Sequence, residues 1–156
     1  MRKHYLSLIF VAMGLVTSLE VQATLTQTIL AVSDSEKLVT AAVEKANTLH
    51  AQVCVAVVDQ SGQLLAFKRM DNAPAGCVDS SILKGRAAAL YRTPTDKYMD
   101  RANGKEPAIA TLPGLVPLGG GIPVSDQGKV IGAVGVSGSA NPNEIAIAKA
   151  SAESFH

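Results

Sequence analysis

The sequence has no tryptophan, and only 4% of its residues are aromatic. A chain so poor in π-faces has little with which to stack on bases. Neither sign of charge dominates, since 14 basic residues stand against 13 acidic ones. The basic footprint that nucleic acid requires is missing, and no basic block marks a membrane surface. Histidine is scarce: beyond His4 there are only His50, at a predicted helix end, and the terminal His156. That leaves a hydrolase little to use as a base. The metal-ligand spacings of HExxH and EF-hand motifs are absent, as are CxxC and CxxCH. Ser137 lies in Val136-Ser137-Gly138-Ser139, which lacks the GxSxG of a nucleophile elbow. Gly119-Gly120-Gly121 precedes a strand rather than a helix and has no lysine at phosphate-loop spacing.

Only two cysteines are present, Cys54 and Cys77. Two readings stay open: a disulfide, or a buried strand thiol beside an exposed loop thiol. A disulfide would close a loop of about 22 residues and contribute roughly 3 kcal/mol in the chain-entropy model. The first 23 residues read as a targeting segment, with a basic start at Arg2, Lys3 and His4, an apolar stretch, and Val21-Gln22-Ala23 as a small-x-small cleavage site. The apolar stretch is about 14 residues, short of the roughly 20 that span a membrane, so cleavage is expected over a retained anchor. Removing Arg2, Lys3 and Glu20 leaves 12 residues of each sign in the mature chain. The expectation is therefore a signal peptide at 1–23, a single domain at 24–156, a periplasmic or secreted location, and no membrane insertion of the mature chain.

What is present is clearly punctuated. After a short apolar lead at 24–32, Ser33-Asp34-Ser35-Glu36 reads as a capping box opening a helix to about His50, with Leu38, Val39, Ala42, Val43, Ala46 and Leu49 at helical spacing. Residues 53–58 and 64–70 form a predicted hairpin about Asp59-Gln60-Ser61-Gly62. Asp79 or Ser80 caps a predicted helix to about Arg92, which Thr93-Pro94 ends. A short helix is expected from Thr95 toward Asn103-Gly104, then a short helix and loop over 106–117. Asp126-Gln127-Gly128 turns a second hairpin, and Asn141-Pro142-Asn143-Glu144 supplies an N-cap, a first-turn proline and a reciprocal glutamate for the last helix, to about Phe155. This order implies an antiparallel sheet with helices packed on it.

Binding is better supported than catalysis. Gly119, Gly120, Gly121, Pro123, Gly132 and Gly135 are small residues expected to leave room above a sheet for a flat apolar ligand. Oxygen, sulfur or nitrogen ligands for an iron centre are available at Tyr91, Tyr98, Met70, Met99, His50, Thr93 and Thr95. Arg69, Lys84, Arg86 or Arg92 could pair with carboxylates.

Four pieces of the chain resemble the GlcG/HbpS family, which includes the C-terminal part of PduO-type proteins. They are Val57-Val58-Asp59 through Gly62 and Leu64; Arg69-Met70-Asp71-Asn72-Ala73; Lys84 through Ala88 with Pro94-Thr95; and Gly120-Gly121-Ile122-Pro123 through Gly128, followed by Ile131-Gly132-Ala133-Val134-Gly135-Val136-Ser137-Gly138. The resemblance covers about residues 33–155. It implies an α/β (α+β), profilin-like fold with a central antiparallel sheet of about five strands flanked by helices, and homo-oligomers up to octamers. It also implies haem as cofactor, with a role in haem handling or redox sensing and a membrane sensor as a possible partner. Thr95 is the implied iron ligand, with Gly120, Gly121 and Pro123 expected to line the pocket beside it and Tyr91 and Tyr98 the next candidates as ligands. The alternatives are a small hydrolase of an aromatic-pathway intermediate, working through Asp71 or Asp126, and an accessory protein that binds a protein partner.

Overall fold

The computed structural model describes residues 27–155, so the expected targeting segment at 1–23 lies outside the described residues. Among the described residues no helix is long and apolar enough to cross a membrane. The chain runs through α1 (Val32–Thr48), β1 (Cys54–Asp59), β2 (Leu64–Arg69), α2 (Cys77–Tyr91), α3 (Thr95–Asn103), a 3-10 turn (Pro107–Thr111), β3 (Gly121–Asp126), β4 (Lys129–Ser137) and α4 (Asn141–Glu153). The strands form one antiparallel sheet in the order β2-β1-β4-β3. Four strands replace the expected five or so, because the remaining described segments are helical or irregular.

Strand alternation assigns the two faces. Val55 pairs with Val136 and Val57 with Val134. These four valines meet Leu38, Ala42 and Ala46 of α1 and Ile147 and Ala148 of α4 in the main core. Ser151 Oγ donates to Leu38 O at 2.7 Å and ties the two helices together. On the opposite face, Ala56 pairs with Gly135 and Val58 with Ala133, and α2 lies on this side. A Cβ on Gly135 would run into the Ser81 carbonyl and come within 2.5 Å of Gly85 N. Glycine at both positions lets the helix backbone rest directly on the strand. Both hairpins form where expected. In the second, Gln127 and Gly128 have φ of 46° and 78°, the left-handed pair of a two-residue turn that matches strand twist.

Three helix starts differ from expectation. α1 begins at Val32 with Ala31 as N-cap and no side-chain capping bond, and Ser35 Oγ instead donates to Val32 O. α2 begins at Cys77, two residues before Asp79, because the covalent link Cys54–Cys77 holds this first turn against β1 with 5.4 Å between the Cα atoms. α4 begins at Asn141 with Ala140 as N-cap. Its Glu144 does not reach back to the Asn141 backbone; it accepts from Gly138 N at 2.7 Å and Ser139 N at 3.2 Å.

Candidate ligand site

The glycine-rich segment before β3 is held from three sides. A Cβ on Gly120 would lie 2.6 Å from Val136 O, and one on Gly121 would run into the Lys84 carbonyl and sit 2.8 Å from Thr95 Cγ2. Gly120 also has φ of 114°, where a side chain is strained. The room that the glycines were expected to leave above the sheet is therefore filled by the protein itself: the α2 backbone lies against Gly121 and Gly135, the Val136 carbonyl against Gly120, Ile145 against Gly119, and Val58 O with Leu30 against Gly132. Beside them, Lys84 Nζ donates to Glu144 Oε2 at 2.7 Å, both side chains buried. Asn141 Nδ2 donates to the same oxygen at 3.1 Å and to Gly119 O at 2.9 Å. A buried ion pair is tolerated when its remaining lone pairs and protons find partners, and Glu144 accepts from four donors.

Thr95 opens α3 and has no exposed surface. Its hydroxyl donates to Leu118 O at 2.6 Å and accepts from Gly121 N at 2.9 Å. In this conformation it is a brace that fixes the start of α3 to the glycine segment. Tyr98 is buried and stacks edge-on with Tyr91, ring centroids 5.9 Å apart. Tyr91 donates its hydroxyl to Pro113 O at 2.7 Å, and Arg101 lies over the Tyr98 ring at 5.6 Å. The two tyrosines thus share a small cluster with Ala87 and Leu115. His50 is exposed just past α1. The sequence-level candidates do not converge on one point, and among the described residues no group of three or more His, Cys, Asp or Glu could hold a metal ion.

A cleft of about 440 Å³ lies where α3 begins, against β3 and α4. Pro94, Ile122, Pro123, Ile145 and Ala152 give it apolar walls. Asp96, Lys97, Ser125, Lys149 and Glu153 supply its polar groups. Of the expected residues, Pro123 lines it directly and Thr95 lies between two wall residues in sequence, Pro94 and Asp96. Asp71 and Asp126 do not line it. Its size falls within the roughly 300–1,000 Å³ of small-molecule pockets, and its apolar walls with a few convergent polar groups suit such a ligand. Sequence reasoning missed Asp96, Lys97 and Lys149, although the first two directly follow Thr95 in the first turn of a helix that was itself readable. A second hollow of about 590 Å³ is walled largely by polar and turn residues, including Gln27, Gln60, Arg92 and Lys129.

The fold and these motifs define a recognised class of small α/β domain. The family model described as haem degrading protein HbpS-like matches residues 30–153, and the chain belongs to this family. It is 39% identical over 112 residues to protein GlcG of Escherichia coli, covering 72% of this chain and 84% of that one. The crystal structure of a double mutant of Streptomyces reticuli HbpS superposes with a TM-score of 0.79 at 30% identity, covering 85% of this chain and 91% of that one. The structure of a PduOC–haem complex superposes with a TM-score of 0.71 at 27% identity, covering 81% and 94%.

Proposed function

We propose that this protein binds haem in the cleft between α3, β3 and α4. The observation that carries the reading is the cleft's chemistry: an apolar slot between prolines and isoleucines, with two exposed lysines, Lys97 and Lys149, on its border. A flat apolar ring with carboxylate arms matches that pattern, the ring against the walls and the carboxylates toward the lysines. The haem-degrading family and the haem complex of a structural relative support the same ligand. The residues present fit such a group in its ring and its carboxylate arms, since the walls are apolar and both border lysines are exposed. Bound haem would supply redox-active iron, while the protein would supply binding and orientation.

The reading includes export and self-association. A disulfide between Cys54 and Cys77 supports an oxidising compartment. Exposed Leu64, Phe67, Leu83 and Leu90 offer apolar surface to another copy. Thr95, the iron ligand implied by family resemblance, would have to release Leu118 O to reach a metal. The test is a haemin titration of the mature protein followed by absorbance, alongside Lys97→Met/Lys149→Met. A saturable Soret shift at micromolar protein, weakened and made less salt-sensitive in the variant, is the expected result. No saturable shift in the wild type overturns the proposal.

A further inference from the structure

Haem iron is held by histidine, cysteine thiolate, methionine or tyrosine, and among the described residues every such side chain lies off the cleft. Cys54 and Cys77 are joined to each other. The Tyr91 hydroxyl donates to Pro113 O, and Tyr98 is buried with the Arg101 guanidinium 5.6 Å from its ring centre. Met70 packs against the main core, and neither Met99 nor the exposed His50 lines the cleft. The Thr95 hydroxyl already gives its proton to Leu118 O and takes the Gly121 N–H. Asp96 keeps its Oδ1 buried, out of the open cleft. Lys97 and Lys149 bring ammonium groups, which donate hydrogen bonds and have no lone pair for a metal. What the cleft does offer is an apolar wall from Pro94, Ile122, Pro123 and Ile145, and positive charge on its border.

We infer that the cleft recognises a tetrapyrrole by its ring and its carboxylate arms and gives no ligand to the iron, so that its ligand class is the porphyrin dicarboxylate with or without metal. This inference rests on the haem-binding reading and narrows it. Burial of the ring against apolar walls takes the same faces out of water whether or not a metal sits at the centre. The carboxylates are carried at the ring's edge, and their pairing with the two lysines is likewise the same in both forms. A protein that held the iron through one of its own side chains would separate the two forms by the strength of that bond. Here the axial positions of a bound iron are left to water and small solutes.

The experiment titrates the mature wild type and Lys97→Met/Lys149→Met with two probes, ferric haemin and metal-free protoporphyrin IX, each followed by its Soret absorbance. Wild type is expected to bind both, with affinities that agree within about threefold. The double variant is expected to weaken both by a common factor, on the order of tenfold for two exposed charge contacts. The Soret maximum of bound haemin should also be the same in wild type, His50→Gln and Met99→Leu. Haemin bound about tenfold or more tightly than the metal-free ring overturns the inference, since the iron then makes a contact of its own. So does a Soret maximum that moves in either single variant, which would put that side chain on the iron. A double variant that matches wild type with both probes overturns it equally, because the carboxylates are then read elsewhere. Failure of wild type to bind either probe overturns the haem reading itself, a result separable from the others.

Discussion

Lys84 Nζ lies 2.7 Å from Glu144 Oε2, and neither side chain is more than 6% exposed. The pair joins the middle of α2 to the first turn of α4 and passes alongside the glycine segment leading into β3. Removing one partner strands the other charge without water. Lys84→Met or Glu144→Leu alone is expected to cost about 3–5 kcal/mol. The double variant should cost less than the two singles together, since no isolated charge remains. It will not return to wild type, because Gly138 N and Ser139 N lose the acceptor that Glu144 provides. Urea unfolding of all four proteins measures the coupling, and strictly additive losses would show that the pair contributes no interaction of its own.

The contact between Gly85 and Gly135 sets the distance of α2 from the sheet. Gly135→Ala forces a methyl into the Ser81 carbonyl and the Gly85 backbone, neither of which can rotate away. Overpacking of this kind costs about 3 kcal/mol or prevents folding. Gly76→Ala is the comparison, since a Cβ there has nothing within 4 Å and the residue's φ is −65°. Thermal melts should separate the two clearly. A Gly135→Ala protein as stable as Gly76→Ala would mean that α2 sits farther from β4 than described.

The disulfide fastens the first turn of α2 to β1, and both cysteines are almost fully buried. Replacing both by alanine should lower stability by about 2–4 kcal/mol. Burial also predicts that thiol reagents added after mild reductant, without denaturant, label neither cysteine. Mass spectrometry of the labelled protein reads this directly, and rapid labelling under native conditions would contradict the packing around Cys54 and Cys77.

Much of the frame was legible in the chain because it is written locally. Two hairpins with glycine-bearing turns, β-branched strands and proline-punctuated helices leave few alternatives at Cys54–Asp59 or Lys129–Ser137. The capping residues were misread for a physical reason. Asn141 and Glu144 have the right types for a reciprocal cap, yet Lys84, sixty residues away, draws the glutamate elsewhere. Nothing local encodes that partner. The same holds for the glycines: a run of small residues signals close approach, but not whether a ligand or the backbone of α2 fills the space. At the candidate site, Pro123 and the start of α3 were visible, whereas Lys149 joins the cleft only through the packing of α4.

Arg101 and Glu106 clasp the end of α3 to the 3-10 turn, with Arg101 Nη2 2.6 Å from Glu106 Oε2. The hydrogen bond from Arg101, and then its charge, hold the Glu106 carboxyl below its ordinary value. A group depressed on folding adds stability above its unfolded value and loses it as pH falls through the folded one. The clasp should therefore hold at neutral pH and release only at acid pH below the usual carboxylate range. Both groups are solvent-exposed, so the effect should stay local. An NMR titration should place the Glu106 carboxyl midpoint lower in wild type than in Arg101→Met. Equal midpoints would show that the clasp does not persist in solution.

Thr95 separates a structural role from a ligand role. Thr95→Val keeps the shape but leaves the buried Gly121 N–H without its acceptor and Leu118 O without its donor. Leaving a buried group unsatisfied costs about 1–3 kcal/mol, so a loss of roughly 2 kcal/mol or more in urea unfolding is expected. Thr95→Ser retains both bonds and should stay within about 1 kcal/mol of wild type, the methyl contributing the difference. For haemin, the brace reading predicts that Thr95→Ser binds as wild type does and that Thr95→Val loses affinity only in step with its loss of stability. The opposite pattern, unchanged stability with a lost Soret shift in Thr95→Val, would mean that the hydroxyl leaves Leu118 O on binding and itself reaches the iron.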